Sequence, residues 1–294
     1  MEGLLARLNS VAAGSQKVAK RLVAYRMLLT DPVNNAFARE KALAGVSGLV
    51  NQFPDSELRE VLAEWVAAEQ AAIERDKEEF RFGFGTQLAQ ALEQAGLKVR
   101  GQLPVLRAGM FSLRVDFAAG KAVIFWGPEV ERLKESVRLV PAELASTLIR
   151  WSRSLKEKSM EPERLARLMT EGLRRVYVQR GLEPGSRVPL LEVLAEVVLL
   201  MQPKGFRADP SREKFVEYPR VRFSYDLFRL KASGQLGQAS AGIRVHVATF
   251  DKTTDKTSAL WVPDNEEGEG TYYSYISLAV RANEVTEGDT PVSG

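Results

Sequence analysis

Carboxylates beside a predicted turn are the first residues that could carry chemistry in this sequence. Asp116 ends an alternating stretch, and Glu129 and Glu131 follow the next apolar run. A metal-dependent nuclease would need a second acid and a lysine on the strand after Asp116, but Ala122 to Trp126 supplies neither. A metal-dependent nucleic-acid-processing enzyme with a site near Asp116 is therefore the alternative function and not the preferred one.

Other catalytic groups are scarce. The sequence has no cysteine, which removes disulfides, thiolate zinc sites and cysteine nucleophiles together. Its one histidine, His246, falls on the polar side of an alternating stretch, where we expect an exposed or hydrogen-bonded side chain. It contains neither a Gly-x-Ser-x-Gly elbow nor a phosphate-binding loop. These observations favour a protein without catalytic activity, and we expect no metal and no cofactor.

Residues 204–231, here called the basic segment, interleave cations with aromatic rings. Eight Lys or Arg residues and six aromatic residues share this stretch with four acids. Phosphates are contacted chiefly by Lys and Arg, and exposed rings can stack on bases. The predicted nucleic-acid-binding residues are Arg212, Lys214, Arg220, Arg222, Arg229 and Lys231. The competing interpretation is ordinary packing, because Val221 to Leu227 alternates like the core face of a strand.

Charge is distributed unevenly along the 294 residues. Residues 151–231 carry 17 basic and 11 acidic side chains, whereas residues 232–294 carry 4 basic and 9 acidic ones. The net charge of the whole chain is only +3. A basic middle beside an acidic end is the main electrostatic feature, and it makes DNA or RNA a possible partner.

The N-terminal stretch carries a heptad pattern. Apolar side chains follow a 4-3 spacing from Leu4 to Leu29, interrupted only by Ser15. This spacing is that of an a/d seam, which serves equally as internal core or as a contact with a partner chain. The predicted partner-binding residues, through self-association or a protein partner, are Leu4, Leu8, Val11, Val18 and Leu22.

The centre of the sequence predicts a β-hairpin. Phe111 to Asp116 alternates, Gly120 suits a tight turn, and Ala122 to Trp126 is apolar on both faces. Pro128 and the apolar residues up to Val137 then predict a short helix. Earlier in the chain, the two glycines in Phe80 to Gly85 predict a break in a long helix.

These elements together predict an α+β fold with an N-terminal helical bundle, a central β-hairpin packed with helices, and a small C-terminal antiparallel β region. We expect a helical domain at 1–95, a central α+β domain at 96–231, a β region at 232–282 that packs on the central domain, and a disordered tail at 283–294.

The preferred function is a non-catalytic adaptor or subunit of a larger prokaryotic assembly, which contacts nucleic acid through the basic segment. A structural protein that recognises partners through its C-terminal sheet is a further interpretation. The longest apolar stretch, Val188 to Met201, contains two glutamates and is too short to cross a bilayer. We therefore expect a cytoplasmic protein that does not insert into membranes.

Overall fold

A computed structural model describes residues 1–236, 242–253, 255 and 257–279 of the chain. The chain divides into two compact units, Met1–Trp151 and Ser152–Gly294. The α+β fold class predicted from the sequence is confirmed. The division into four segments stays a prediction, and its tail at 283–294 lies outside the described residues.

The first unit begins with the predicted helical bundle. It contains α1 (Glu2–Leu28), α2 (Ala36–Val50) and α3 (Ser56–Glu93). The side chain of Asp55 caps α3 by accepting a 3.0 Å hydrogen bond from the backbone N–H of Leu58, as expected for an aspartate at this position. One buried apolar cluster holds the bundle together: Tyr25, Leu43, Val46, Val50, Val66 and Ile73.

The predicted break at Phe80 to Gly85 is wrong, because α3 runs through both glycines. Phe80, Phe84 and Leu88 are buried one turn apart on the same face of this helix. A glycine costs a helix only about 1 kcal/mol relative to alanine, and burial of these large side chains outweighs that cost.

A five-stranded antiparallel sheet follows the bundle. Its strands are β1 (Val99–Gln102), β2 (Val105–Ala108), β3 (Phe111–Asp116), β4 (Lys121–Trp126) and β5 (Glu131–Arg138), and they pair in chain order. The predicted hairpin is confirmed as β3 and β4, with Phe111 opposite Trp126. Gly120 takes a φ of 60° in the turn between them. Helix α4 (Pro141–Glu157) comes next in the chain.

The helix predicted after Pro128 is instead strand β5, so that prediction is wrong. Glu129 has a φ of 59°, which a helix start does not allow. The ladder between β4 and β5 contains two register shifts. Val130, Leu133 and Val137 are spaced by three and four residues, which imitates a helix, and a bulged strand does not show the strict alternation that would have identified it.

The second unit combines helices with a small antiparallel sheet. Its helices are α5 (Pro162–Arg180), α6 (Leu190–Leu200), α7 (Lys204–Ala208), α8 (Arg220–Ala232) and α9 (Phe250–Thr253). Its strands are β6 (Val188–Pro189), β7 (Ile243–Val247), β8 (Leu260–Pro263) and β9 (Gly270–Leu278). Strand β9 pairs with the other three strands, and α5, α6 and α8 contribute the rest of one shared core.

The interpretation of Val221 to Leu227 as a strand is wrong, because this stretch lies within α8. Phe223, Leu227 and Leu230 are all completely buried, at the spacing of a helix. The wide buried stripe of α8 also includes Tyr225. Phe223 and Leu227 belong both to an alternating set (221, 223, 225 and 227) and to a helical set (223, 227 and 230), and only packing distinguishes the two patterns.

Candidate functional site

Several cations of the basic segment have partners within the protein, whereas the side chain of Arg212 is exposed and has neither an ion pair nor a hydrogen bond among the described residues. Lys214 forms an ion pair with Asp209 at 2.5 Å, and Lys231 forms one with Asp264 at 2.5 Å. Arg220 donates a 2.9 Å hydrogen bond to a backbone carbonyl just before β8. Because these cations already have intramolecular partners, phosphate binding would have to compete with those contacts.

The other two arginines of α8 surround a buried carboxylate. Asp226 accepts hydrogen bonds from the backbone N–H of Met160 at 3.1 Å and from the hydroxyl of Tyr218 at 2.7 Å. The guanidinium of Arg222 lies 5.3 Å from the centre of the Tyr218 ring, and Arg229 donates to the carbonyl of Met160 at 3.1 Å. Burial raises the pKa of Asp226 to about 6, although the Tyr218 hydrogen bond opposes this shift. This arrangement joins α8 to the start of α5.

Most rings of the basic segment point into the core. Tyr218, Phe223 and Tyr225 are buried, so they are not available to stack on bases. Phe206 and Phe215 pack against each other with ring centres 5.5 Å apart. Nucleic-acid binding by this segment stays a prediction, and burial removes three of its six rings from the surface.

The carboxylates near the hairpin have structural contacts. Asp116 accepts a 2.9 Å hydrogen bond from the backbone N–H of Ala119 and thereby closes the β3–β4 turn. Glu129 forms a 2.6 Å ion pair with Arg114. Within the described ranges, no group of three or more His, Cys, Asp or Glu side chains is placed to hold a metal ion. Asp116 thus stabilises the β3–β4 turn, and Glu129 neutralises the charge of Arg114.

His246 lies on β7 as predicted, with Nε2 2.9 Å from the hydroxyl of Ser277. Burial lowers its pKa, and the nearby charges of Arg187 and Arg244 lower it further. These effects favour the neutral form of an imidazole that lies beside a hydroxyl.

The predicted seam of α1 divides into a buried half and an exposed half. Val18 is 4% exposed and belongs to the buried core, and Val11 and Leu22 are half-buried. Leu4 and Leu8, in the first turns, are 65% and 58% exposed. The same heptad pattern therefore serves as core along one part of the helix and as open surface along the other.

A second stripe runs along the adjacent side of α1 and is apolar except for one glutamine at its centre. We call it the outer stripe, and its spacing of three and four residues is also that of one helix face. All of its members are exposed to solvent: Leu5, Leu8, Ala12, Gln16, Ala19, Val23 and Met27. The sequence-based prediction missed the outer stripe because Gln16 interrupts it and the more regular heptad seam lies beside it, although the spacing is readable in the sequence.

An open cleft of about 390 Å³ flanks the C-terminal end of the outer stripe. It lies between α1 and the beginning of α3. Leu22 and Leu29 line it from α1, and Val61 and Trp65 line it from α3. Val61 is 58% exposed, so this apolar wall is also uncovered.

No family model, curated protein or solved structure matches the chain. Across the part of the chain that the structure describes, no helix combines the length and apolar character needed to cross a membrane.

Proposed function

We propose that the chain is a non-catalytic subunit of a larger assembly, and that it docks through α1 onto a second copy of the same chain. The observation that carries the proposal is that α1 presents apolar residues on two adjacent sides while the outer stripe stays exposed. A helix that is apolar on more than one side is typical of the interior of a larger bundle. The outer stripe therefore marks the position of one more helix.

The pattern of the outer stripe is what favours a second copy. Large apolar side chains occupy both ends, an alanine lies inward of each end, and Gln16 is at the centre, so the order is nearly the same in either direction. In a twofold interface the same patch must be complementary to itself. Antiparallel pairing about the middle of α1 matches like with like: Leu5 with Met27, Leu8 with Val23, Ala12 with Ala19, and Gln16 with Gln16.

The central glutamine suits this pairing. A glutamine side chain carries both a donor amide group and an acceptor carbonyl. Two copies of Gln16 that meet on a twofold axis can therefore each donate to the carbonyl of the other. The pair satisfies its own polar atoms, and it also disfavours registers that place Gln16 against an apolar side chain.

The same register gives the exposed N-terminal turns a place to bind. A twofold axis perpendicular to an antiparallel helix pair keeps equivalent sides of both helices on one side of the interface. Leu4 of the second copy then lies opposite residues 27 and 28, beside the cleft that Leu22, Leu29 and Val61 line. Pairing of the two outer stripes alone would leave Leu4 exposed, and the cleft gives this side chain a place to pack.

The expected dimer is weak. From Leu5 to Met27 a helix extends about 33 Å at 1.5 Å per residue, and a contact about 10 Å wide covers roughly 330 Å² on each copy. A stable interface buries about 800 Å² per partner. We therefore expect association that depends on protein concentration, with α1 adding one contact to a larger assembly.

A cysteine cross-link tests the register directly, because the sequence has no cysteine of its own. In the variant Gln16→Cys the two thiols of a dimer face each other, so mild oxidation should yield a covalent dimer. The matched control is Ala13→Cys, which is also exposed on α1 but lies away from the outer stripe. Cross-linking in both variants to the same extent would show random collision, and absence of cross-linking in Gln16→Cys would refute the proposed pairing.

A charge-swap experiment tests the same contact without covalent chemistry. The double variant Ala12→Glu, Ala19→Glu should sediment as a monomer of 32.6 kDa. The double variant Ala12→Lys, Ala19→Lys should do the same. Mixing the two variants should restore dimers, because each glutamate then faces a lysine. The control places glutamate at Ala13 and Ala24, which should leave the wild-type concentration dependence unchanged. A wild-type protein that stays monomeric at all concentrations would overturn self-association.

A further inference from the structure

The five-stranded sheet carries a row of arginines that the sequence alone does not bring together. Residues directly opposite each other in an antiparallel ladder point to the same face. The register places Arg100 opposite Arg107, Arg107 opposite Ser112, Ser112 opposite Phe125, and Phe125 opposite Arg132. One row therefore crosses all five strands, and arginine occupies three of its five positions.

The three arginines of this row lie on the solvent-facing side of the sheet, whereas Ser112 and Phe125 between them are buried. On the other side, Leu106, Leu113 and Ile124 pair in the adjacent register and are buried. The sheet thus has a core face and a cationic face, as the alternation of side chains along a strand requires.

Further cations surround the row on the same face. In the neighbouring rows Arg114 lies opposite Val123, and Lys121 lies opposite Arg138. The register therefore assigns six cations to this face: Arg100, Arg107, Arg114, Lys121, Arg132 and Arg138. We call this surface the arginine face.

Among the described side chains, acids lie beside the cations at one end of the arginine face. Glu129 pairs with Arg114, Glu143 pairs with Arg138, and Asp116 lies opposite Lys121.

The arginine row itself is left without such partners. Among the described side chains, Arg100, Arg107 and Arg132 have neither an ion pair nor a hydrogen-bond partner. Arg100 and Arg107 stand directly opposite each other, and like charges in that arrangement destabilise a sheet. An anion bound to such a surface would offset this repulsion and stabilise the sheet.

The centre of the face is held in place by local contacts. The hydroxyl of Ser112 donates a 2.6 Å hydrogen bond to the carbonyl of Gly127 and accepts one of 3.0 Å from the N–H of Glu129. The guanidinium of Arg114 lies 5.6 Å from the centre of the Phe125 ring and covers it. Phe125 is only 8% exposed, so it offers no platform on which a base could stack.

We propose that the arginine face binds the phosphodiester backbone of nucleic acid. Adjacent strands lie about 4.8 Å apart, so the row extends over roughly 19 Å. Cations spread over that distance suit an extended polyanion better than one small anion, which needs converging donors. Guanidinium groups also match phosphate geometry with two parallel hydrogen bonds.

The surface is less suited to an anionic membrane. Peripheral membrane binding adds the burial of apolar side chains to charge attraction. On the five strands themselves, no described large apolar residue is strongly exposed, and Leu103 at the β1–β2 turn is 39% exposed. The face therefore provides charge without an apolar anchor. This proposal is independent of α1 and of the dimer.

Anisotropy titrations of fluorescein-labelled oligonucleotides test the proposal with the full chain. Arms with single-stranded DNA, single-stranded RNA and duplex DNA distinguish the sources of the backbone. The test variant replaces Arg100, Arg107 and Arg132 with glutamine. The matched control removes the same charge from three exposed arginines of α3, Arg59, Arg75 and Arg81.

Each phosphate contact contributes about 0.7 to 0.9 to the slope of log affinity against log salt concentration. Three lost contacts should therefore reduce the slope by about 2 to 3 and weaken binding on the order of 100-fold at about 0.1 M salt. The control should bind like the wild type, apart from a small uniform loss. A third variant, Arg100→Lys, Arg107→Lys, Arg132→Lys, should retain the salt dependence of binding but lose part of the affinity.

Three outcomes would overturn the proposal. The first is no binding of any nucleic acid at low salt, and the second is an equal loss of affinity in test and control variants. The third is binding of the wild type to anionic vesicles with the nucleic-acid arms silent, which would assign the face to membranes.

Two further measurements keep these outcomes interpretable. A thermal melt of each variant guards against unfolding, and removal of the Arg100–Arg107 repulsion should leave the melting temperature unchanged or higher. The dimer-breaking variants of α1 should still bind nucleic acid, so failure of one proposal does not imply failure of the other.

Discussion

Asp226→Asn should remove a pH dependence that the buried carboxyl group imposes on the second unit. Asp226 is 1% exposed, and burial raises its pKa from the ordinary value of 3.8 to about 6. Asparagine has nearly the same shape, can still accept from the Met160 N–H, and cannot ionise. The variant therefore isolates the cost of ionising this one group.

The sign follows from proton binding. Between pH 4 and pH 6 the folded protein keeps the proton on Asp226 while the unfolded chain has lost it. The folded state then binds more protons, so its stability falls as pH rises through this range. A difference of about 2 pKa units corresponds to about 3 kcal/mol at 1.36 kcal/mol per unit. The stabilisation is complete below pH 4 and is lost above pH 6.

The free energy of unfolding of wild type and variant should be measured in urea at several pH values from 4 to 7. Fluorine NMR of fluorotryptophan-labelled protein gives a separate signal for Trp261, which is 2% exposed and lies in the second unit. The stability of the wild type relative to Asp226→Asn should fall by about 3 kcal/mol across this range. A difference that stays constant, or that rises with pH, would refute the assignment of a raised pKa.

Three further changes have defined outcomes. Gly120→Ala should destabilise the first unit by about 2 to 4 kcal/mol, because the residue has a φ of 60° and a Cβ atom there would lie 2.5 Å from Phe37; urea unfolding measures this. Arg107→Gln should raise the free energy of unfolding by about 0.2 to 1 kcal/mol by ending the repulsion with Arg100, in the same assay at low salt. Asp255→Asn should give the opposite pH trend to Asp226→Asn: neighbouring hydroxyls lower the pKa of Asp255 to about 2, so the wild-type advantage should disappear as pH falls from 4 to 2.

Two of these changes have a matched control. Gly96→Ala also replaces a glycine with positive φ, but no atom lies within 4 Å of the new Cβ, so it should cost only the backbone strain. A cost for Gly120→Ala no greater than for Gly96→Ala would contradict the steric argument. The effect of Arg107→Gln should shrink at high salt, and an effect independent of salt would contradict the electrostatic one.

Much of the local structure follows from short-range pattern. The turn at Gly120 appears where the sequence predicts it, and the helix ends at Asp55 and Gly181 also depend on the conformational preferences of single residues. The hairpin is also predictable, since alternation over six residues and a glycine turn are sufficient to define it.

Where the apolar pattern of a segment fits both a helix and a strand, tertiary contacts decided which of the two forms. Residues 220–232 became a helix because Phe223 and Leu227 are both buried in a core to which other elements contribute. Residues 131–138 became a strand because they pair with β4, which would otherwise be an edge strand with unpaired backbone groups. In both cases the pattern of the segment alone is insufficient, because the groups that bury or pair it belong to other elements.

The candidate surfaces divide in the same way. The stripes of α1 and the cations of the basic segment can be read from the amino-acid order, because helical periodicity and charge are local properties. That Leu8 lies in solvent while Val18 lies in the core depends on which part of α1 the neighbouring elements cover. Likewise, Arg100 on β1, Arg107 on β2 and Arg132 on β5 share one face because strand pairing sets the register, and no short motif encodes it.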